Sequence, residues 1–234
     1  MICDKNQISG MFDEISGSYD LANRLISFGF DLGWRRKLVS YIPDDEGLKL
    51  LDLATGTGDI AIKAIKSKNN IASVMGVDLS EKMMEIGKRK VEAEGAGDKV
   101  VFKKADLLSL PFSNGSFDCV TMVFGLRNAA DTAKCISEIF RVLKEGGRAL
   151  ILEFSLPRNF LFRAAYLFYF KYILPVVGGV ISGNMKAYRY LCSTVIGFPC
   201  PEKVAAMMKD AGLEVKMESL SLGIVTIYIA TKSH

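Results

Sequence analysis

LDLATGTGDIA, Leu51 to Ala61, joins an apolar run to two closely spaced glycines and then to the start of a helix-like pattern. The run it closes, LKLLDLA from Leu48 to Ala54, is short and aliphatic, as a strand inside a sheet is. Gly56 and Gly58 stand where a chain leaving a strand must turn sharply and bring bare backbone close to a ligand. Strand, glycine turn and helix open a βαβ unit, which commits the chain to an α/β architecture with a parallel sheet.

The rest of the chain repeats that alternation. SVMGVD (Ser73 to Asp78), KVVFKKA (Lys99 to Ala105), FDCVTMVF (Phe117 to Phe124) and RALILEF (Arg148 to Phe154) read as further strands. Between the last two, Ile136, Ile139, Phe140 and Leu143 fall at helical spacing, with Asp131 as the N-cap and Gly146-Gly147 as the stop. In EKVAAMMKDAG, Glu202 to Gly212, Val204, Met207, Met208 and Ala211 share one helical face. LEVKMES and GIVTIYIAT then read as two strands around a short break at Leu220 to Leu222, a hairpin that sets the last strand antiparallel to its neighbour. The expected fold is a doubly wound, mostly parallel seven-stranded sheet with an antiparallel C-terminal strand.

A chain of 234 residues, half of them hydrophobic, buries one ample core. A net charge of +4 falls short of the concentrated basic face that nucleic-acid binding needs, so no nucleic acid partner is expected. Cys3, Cys119, Cys135, Cys192 and Cys200 show no paired metal-ligand spacing, and the only histidine is His234, which argues against a metal site or a Cys-His nucleophile. MICDKNQ at the N-terminus is polar, which predicts no cleavable signal and a cytoplasmic chain. Residues 1–47, with FDEISGSYD and GWRRK, read as an N-terminal helical cap on a core of 48–234. Residues 157–201 read as an apolar lid inserted into that core. A hydropathy window flags FLFRAAYLFYFKYILPVVGGVISG, Phe160 to Gly183, as a membrane span, but Arg163, Lys171, Pro175 and Gly178-Gly179 interrupt it. A helical lid or a membrane-surface element is the expectation, and an interface in a homodimer is the competing one.

As a bare pattern the glycine loop, with Asp78 placed for ribose hydroxyls, suits a nicotinamide dinucleotide and S-adenosylmethionine equally. Asp52, just before the loop, repels a pyrophosphate and suits a cationic methionine end. Asp106 and Leu107, closing the third strand, are arranged to accept from an adenine amino group and to cover its ring. The strand from Phe117 runs out into VFGLRNAAD, Val123 to Asp131, which puts Arg127 and Asn128 at a strand's carboxyl end, where open α/β sheets bind ligands. LKEGGRALIL, with its Gly-Gly turn before a strand, is a feature class I methyltransferases share.

Six segments together carry a resemblance: MFDEISGSYDLANRLISFGFDLGWRR, LDLATGTGD, GVDLSEKMMEIGKRK, LPFSNGSFDCVTMVFGLRNAAD, VLKEGGRALILEFSLP and YRYLCSTVIGFP. They resemble the ubiquinone/menaquinone biosynthesis C-methyltransferase family over nearly the whole chain. The resemblance implies a class I S-adenosylmethionine-dependent methyltransferase that methylates a ring carbon of a prenylated quinol, a demethylmenaquinol or a methoxy-benzoquinol. It implies cofactor contacts at Thr57, Asp78, Asp106 and Leu107, catalysis at Arg127 and Asn128, and a ring site lined by Tyr19, Tyr188 and Tyr190. The prenyl tail implies peripheral docking on a membrane, with Arg35, Arg36, Arg163 and Lys171 assisting. Relatives commonly carry serine where this chain has Val123 and histidine where it has Tyr228. A methyltransferase for another small or lipid acceptor, a nicotinamide-dependent oxidoreductase and a non-catalytic cofactor-binding scaffold stand as rival readings.

Overall fold

The computed structural model describes residues 5–233, so Cys3, His234 and the segment before Lys5 lie outside it. Three helices come first: α1 (Lys5–Ile15), α2 (Tyr19–Ile26) and α3 (Phe30–Val39). The alternating part follows as β1 (Leu48–Leu53), α4 (Asp59–Ser67), β2 (Ile71–Asp78), α5 (Glu81–Ala93), β3 (Val100–Lys104), β4 (Phe117–Val123), α6 (Thr132–Val142) and β5 (Leu143–Phe154). The segment expected to be a lid is α7 (Phe160–Phe168), a π-helical turn at Tyr169–Ile173, α8 (Leu174–Ser182) and α9 (Met185–Gly197), and α10 (Pro201–Asp210), β6 (Leu213–Leu220) and β7 (Val225–Lys232) close the chain.

The strands form one seven-stranded sheet in the order β3-β2-β1-β4-β5-β7-β6. Only β7 runs antiparallel to its neighbours, pairing Leu152 with Ile227 on one side and Glu218 with Ile227 on the other. The strand order reverses between β1 and β4, so the carboxyl ends of these two strands flank the crevice where such sheets take their ligands. β1 is buried at every position except Lys49, which explains its unbroken aliphatic run.

Two local expectations differ from what is found. Leu143 belongs to β5 rather than to the preceding helix, and Gly146-Gly147 sits inside the strand rather than stopping α6. Pairing with β4 starts at Phe117 opposite Leu143, then jumps to Cys119 opposite Arg148, so Lys144 to Gly147 loop out of the ladder. Asp131 caps α6 as expected, its carboxylate accepting the Lys134 N–H at 2.9 Å.

The second difference is in the lid, where Pro175 and the glycines do not break the helix. A proline ring crowds the carbonyl four residues back, here that of Lys171, which lies in the π-helical turn. That turn carries an extra residue and moves the carbonyl aside. Phe160–Val180 is consequently one helix long and apolar enough, by length and composition, to cross a membrane. Tyr166, Phe170 and Leu174 recur every fourth position and pack on Ile15, Ala187, Tyr188, Cys192 and Val195. The opposite face leaves Phe160, Leu161, Phe168, Tyr172, Val176 and Val180 exposed. α8 and α9 pack as a tight hairpin at Gly178, where a Cβ would sit 2.5 Å from the Tyr188 ring.

Candidate active site

Two strand ends build the crevice with unusual backbone. Ala54, just after β1, and Phe124, just after β4, both adopt left-handed conformations, with φ of 50° and 57°. Such angles are strained for residues with side chains and concentrate at functional sites. Gly56 and Gly58 are left-handed too, and at Gly58 a Cβ would stand 3.1 Å from the Phe102 ring. The second glycine thus lets the first turn of α4 lie directly against β3.

The cleft between these turns is lined by Ala54, Gly56, Asp78, Asp106, Leu107, Val123, Gly125 and Asn128. Helix α1 covers it with Ile8, Ser9 and Phe12, and the Ser9 hydroxyl donates to the Leu79 carbonyl at 3.2 Å. Asp78 ends β2 and accepts N–H bonds from Gly56 at 2.8 Å and Ser80 at 2.9 Å, so its carboxylate fixes the glycine loop as well as facing the cleft. Burial raises its pKa, and those backbone bonds oppose the rise. Asp106 is held by the Leu108 N–H at 2.9 Å.

Asp52 and Thr57 face a smaller recess that shares Tyr19, Ala54, Gly56 and Val123 with the cleft. Asp52 is 1% exposed and accepts from the Thr55 hydroxyl at 2.6 Å and the Thr121 hydroxyl at 2.7 Å. Burial pushes its carboxyl up to about 6 against those bonds. The Thr57 hydroxyl donates to Asp20 at 2.8 Å, and Lys90 donates to both, which ties α2 to the glycine loop. Arg35 also faces this recess and is buried, which removes it from the membrane-facing role expected of it. It sits on the inner side of α3, 3.6 Å from Asp31, and its Nε has no hydrogen-bond partner among the described residues.

Beside the cleft lies an apolar chamber of about 560 Å³, walled by the cap, the lid and the strand ends. Phe12, Tyr19 and Phe124 line both spaces. Tyr188 and Tyr190 line the chamber, and the Tyr190 hydroxyl donates to Asn128 Oδ1 at 3.2 Å. Asn128 faces the cleft, whereas Arg127 faces the chamber. One short helical turn, Leu126–Asn128, therefore serves two neighbouring compartments.

Arg127 is held in a buried ion pair. Its Nη1 donates to Glu153 Oε1 at 2.7 Å and to the Phe124 carbonyl at 2.6 Å, and the ion pair is buried. Its guanidinium also lies over the rings of Phe124 and Phe154, which stack at 4.3 Å. Glu153 accepts in addition from the N–H groups of Arg127 and Phe154. The pair carries no net charge; Arg127 lines the chamber, and its buried Nε has no hydrogen-bond partner among the described residues. Glu153 is the residue the sequence reading missed. A lone acid in the apolar strand RALILEF was the available signal, since a charge is buried only when paired.

The residues present fit a cofactor with vicinal hydroxyls, an exocyclic amine and a zwitterionic end: Asp78 and Asp106 would accept from it, Leu107 would cover its ring, and the recess holds the Asp52 carboxylate and the Arg35 guanidinium. That cleft on this sheet defines a class I S-adenosylmethionine-dependent methyltransferase, whose fold is shared by a SAM-dependent methyltransferase from Aquifex aeolicus at a TM-score of 0.59 and 18% identity, covering 85% of this chain and 89% of that one. Residues 1–232 match the ubiE/COQ5 methyltransferase family, and the chain belongs to it. A demethylmenaquinone methyltransferase of Thermus thermophilus is 47% identical over 95% of this chain and 100% of its own. A ubiquinone/menaquinone biosynthesis C-methyltransferase UbiE of Geotalea uraniireducens is 44% identical over 97% of this chain and 96% of its own.

If Asp78 binds the ribose, Asp78→Ala weakens S-adenosylmethionine binding by about 1.5 to 3 kcal/mol for each charge-assisted bond lost, read by titration calorimetry. Because Asp78 also holds Gly56, the variant loses some thermal stability. An unchanged dissociation constant would remove Asp78 from the site.

Proposed function

We propose that this protein transfers the methyl group of S-adenosylmethionine to a ring carbon of a prenylated quinol, with a demethylmenaquinol as the acceptor and a benzoquinol as the second. The observation that carries this is the turn at Leu126–Asn128, which opens on a cofactor-shaped cleft through Asn128 and on a large apolar chamber through Arg127. S-adenosylmethionine supplies an electrophilic methyl on a sulfonium. Asp78, Asp106 and Leu107 hold its nucleoside part, Gly56, Thr57 and Gly58 shape the loop around it, and Asp52 with Arg35 meets its amino-acid end.

The acceptor carbon becomes nucleophilic as the neighbouring hydroxyl gives its proton to water, and once that carbon has taken the methyl from sulfur it releases its own hydrogen as a proton, restoring the aromatic ring. The oxidised quinone has no such hydroxyl, so the reduced ring is the substrate. Arg127 directs N–H groups at the developing phenolate, and Glu153 fixes their direction. Asn128, held by Tyr190 and by its own bond to the Phe124 carbonyl at 3.4 Å, orients the cofactor at the junction. Closure by α1 and the lid excludes water and brings carbon and methyl to about 3 Å. The prenyl tail leaves the chamber toward the exposed apolar faces of α2 and the lid helix, where Leu21, Leu25, Phe28, Phe160 and Phe168 stand open. This surface suits peripheral docking on the cytoplasmic face of a membrane, with exposed Arg36, Arg163 and Lys171 meeting anionic headgroups.

Liposomes carrying demethylmenaquinone test the reading. With labelled S-adenosylmethionine, methyl transfer occurs after the quinone is reduced and stays at background when it is oxidised. The protein co-sediments with anionic vesicles at low salt, and Arg163→Glu with Lys171→Glu lowers the bound fraction. Equal transfer to oxidised quinone defeats the phenolate chemistry, and a protein that ignores the vesicles as a dimer assigns the apolar face to a second copy.

A further inference from the structure

Two residues that line the chamber each carry a buried polar atom with no partner among the described residues: Arg127 Nε and the Tyr166 hydroxyl of α7. Tyr166 is 7% exposed, and its ring leans on Phe170, with centroids 4.6 Å apart. Leaving a donor buried and unpaired costs about 1 to 3 kcal/mol, so each of these calls for an explanation. Two of them on residues that line one largely apolar chamber, joined through the Phe170 and Phe154 rings, have a common one.

We propose that the Tyr166 hydroxyl donates to the second oxygen of the quinol, the one across the ring from the oxygen that Arg127 holds, and so makes Tyr166 the group that selects a para-dihydroxy ring. The assignment rests on the quinol reading above and adds to it a recognition element for the far side of the ring. The chemistry of the group suits the task. Burial drives its phenol well above the ordinary range, with the Arg127 charge opposing, so it remains a neutral O–H donor and does not compete for the proton released at the reacting oxygen. Its place on the lid couples ring recognition to closure: the substrate supplies partners to a donor of the lid and a donor of the core together. A benzoquinol and a naphthoquinol both carry the remote oxygen, whereas a simple phenol does not. A site built to hydrogen-bond a substrate oxygen discriminates against the analogue that lacks it.

The test pairs Tyr166→Phe with two acceptors, a prenylated naphthalenediol and the same ring without the hydroxyl remote from the methylated carbon. Wild type favours the diol in kcat/KM by about tenfold. Tyr166→Phe loses about tenfold on the diol, keeps wild-type activity on the monohydroxy ring, and binds S-adenosylhomocysteine unchanged. Its melting temperature is the same or higher, because an unpaired buried hydroxyl has gone. A purely structural tyrosine would behave differently: equal losses on both acceptors, or no loss on the diol, overturns the proposal. Wild-type enzyme that methylates neither acceptor defeats the quinol reading and takes the Tyr166 assignment with it.

Discussion

Arg127→Met lowers turnover of the reduced quinol by about 100- to 1000-fold, the usual cost of removing one oriented donor from a developing oxyanion. The Michaelis constant for S-adenosylmethionine barely moves, because Arg127 faces the chamber and not the cleft. The buried pair complicates that variant, since it leaves Glu153 without its cation. Arg127→Lys is the cleaner probe. A lysine keeps one charged donor for Glu153 and so keeps the pair, but it lacks the further N–H donors of the guanidinium's planar fork. The expected result is a folded protein with normal cofactor affinity and turnover at least tenfold below wild type. Wild-type turnover in Arg127→Lys, within about threefold, would make the residue structural. Asn128→Ala shows the opposite split, with a weaker cofactor and a smaller change in the chemical step.

The carboxyl ends of the strands were legible because each carried a local contradiction: an apolar run that stops at Asp78, Asp106 or Arg127 has no folding reason to stop there. The sheet followed from strand and helix periods, and its one antiparallel strand from a short hairpin. What the sequence hid were facts about direction. Arg35 and Arg36 are adjacent and alike, yet one points into the recess and the other into solvent, and only the docking of α3 decides which. Pro175 argued for a broken helix because proline removes an N–H. The rescue depended on a π-helical turn that no residue type announces. The Thr57 hydroxyl donates to Asp20 of α2, a contact across 37 residues. Long-range pairings of this kind are set by packing, which the residue pattern does not encode at any single position.

Glu153 gives the sharpest separation of folding from catalysis. It is fully buried and accepts from Arg127 Nη1, the Arg127 N–H and the Phe154 N–H. Glu153→Ala strands a buried guanidinium and two backbone donors, a loss of about 3 to 5 kcal/mol by the behaviour of broken buried pairs. At about 2 to 4 °C per kcal/mol for a chain of this size, the melting temperature falls by roughly 6 to 20 °C. Removing both charges is a different perturbation. A buried pair replaced by apolar groups of similar volume is close to neutral, because the desolvation cost disappears with the attraction. Arg127→Met with Glu153→Leu therefore recovers the part of the loss that came from the stranded guanidinium, though not the part from the Arg127 and Phe154 N–H groups, while turnover stays as low as in Arg127→Met alone. That combination, a stable fold without methyl transfer, is the signature of a pair kept for its direction toward the chamber rather than for its energy. A Glu153→Ala protein that melts with wild type would show the pair to be dispensable, and a double variant that regains turnover would move the chemistry away from Arg127.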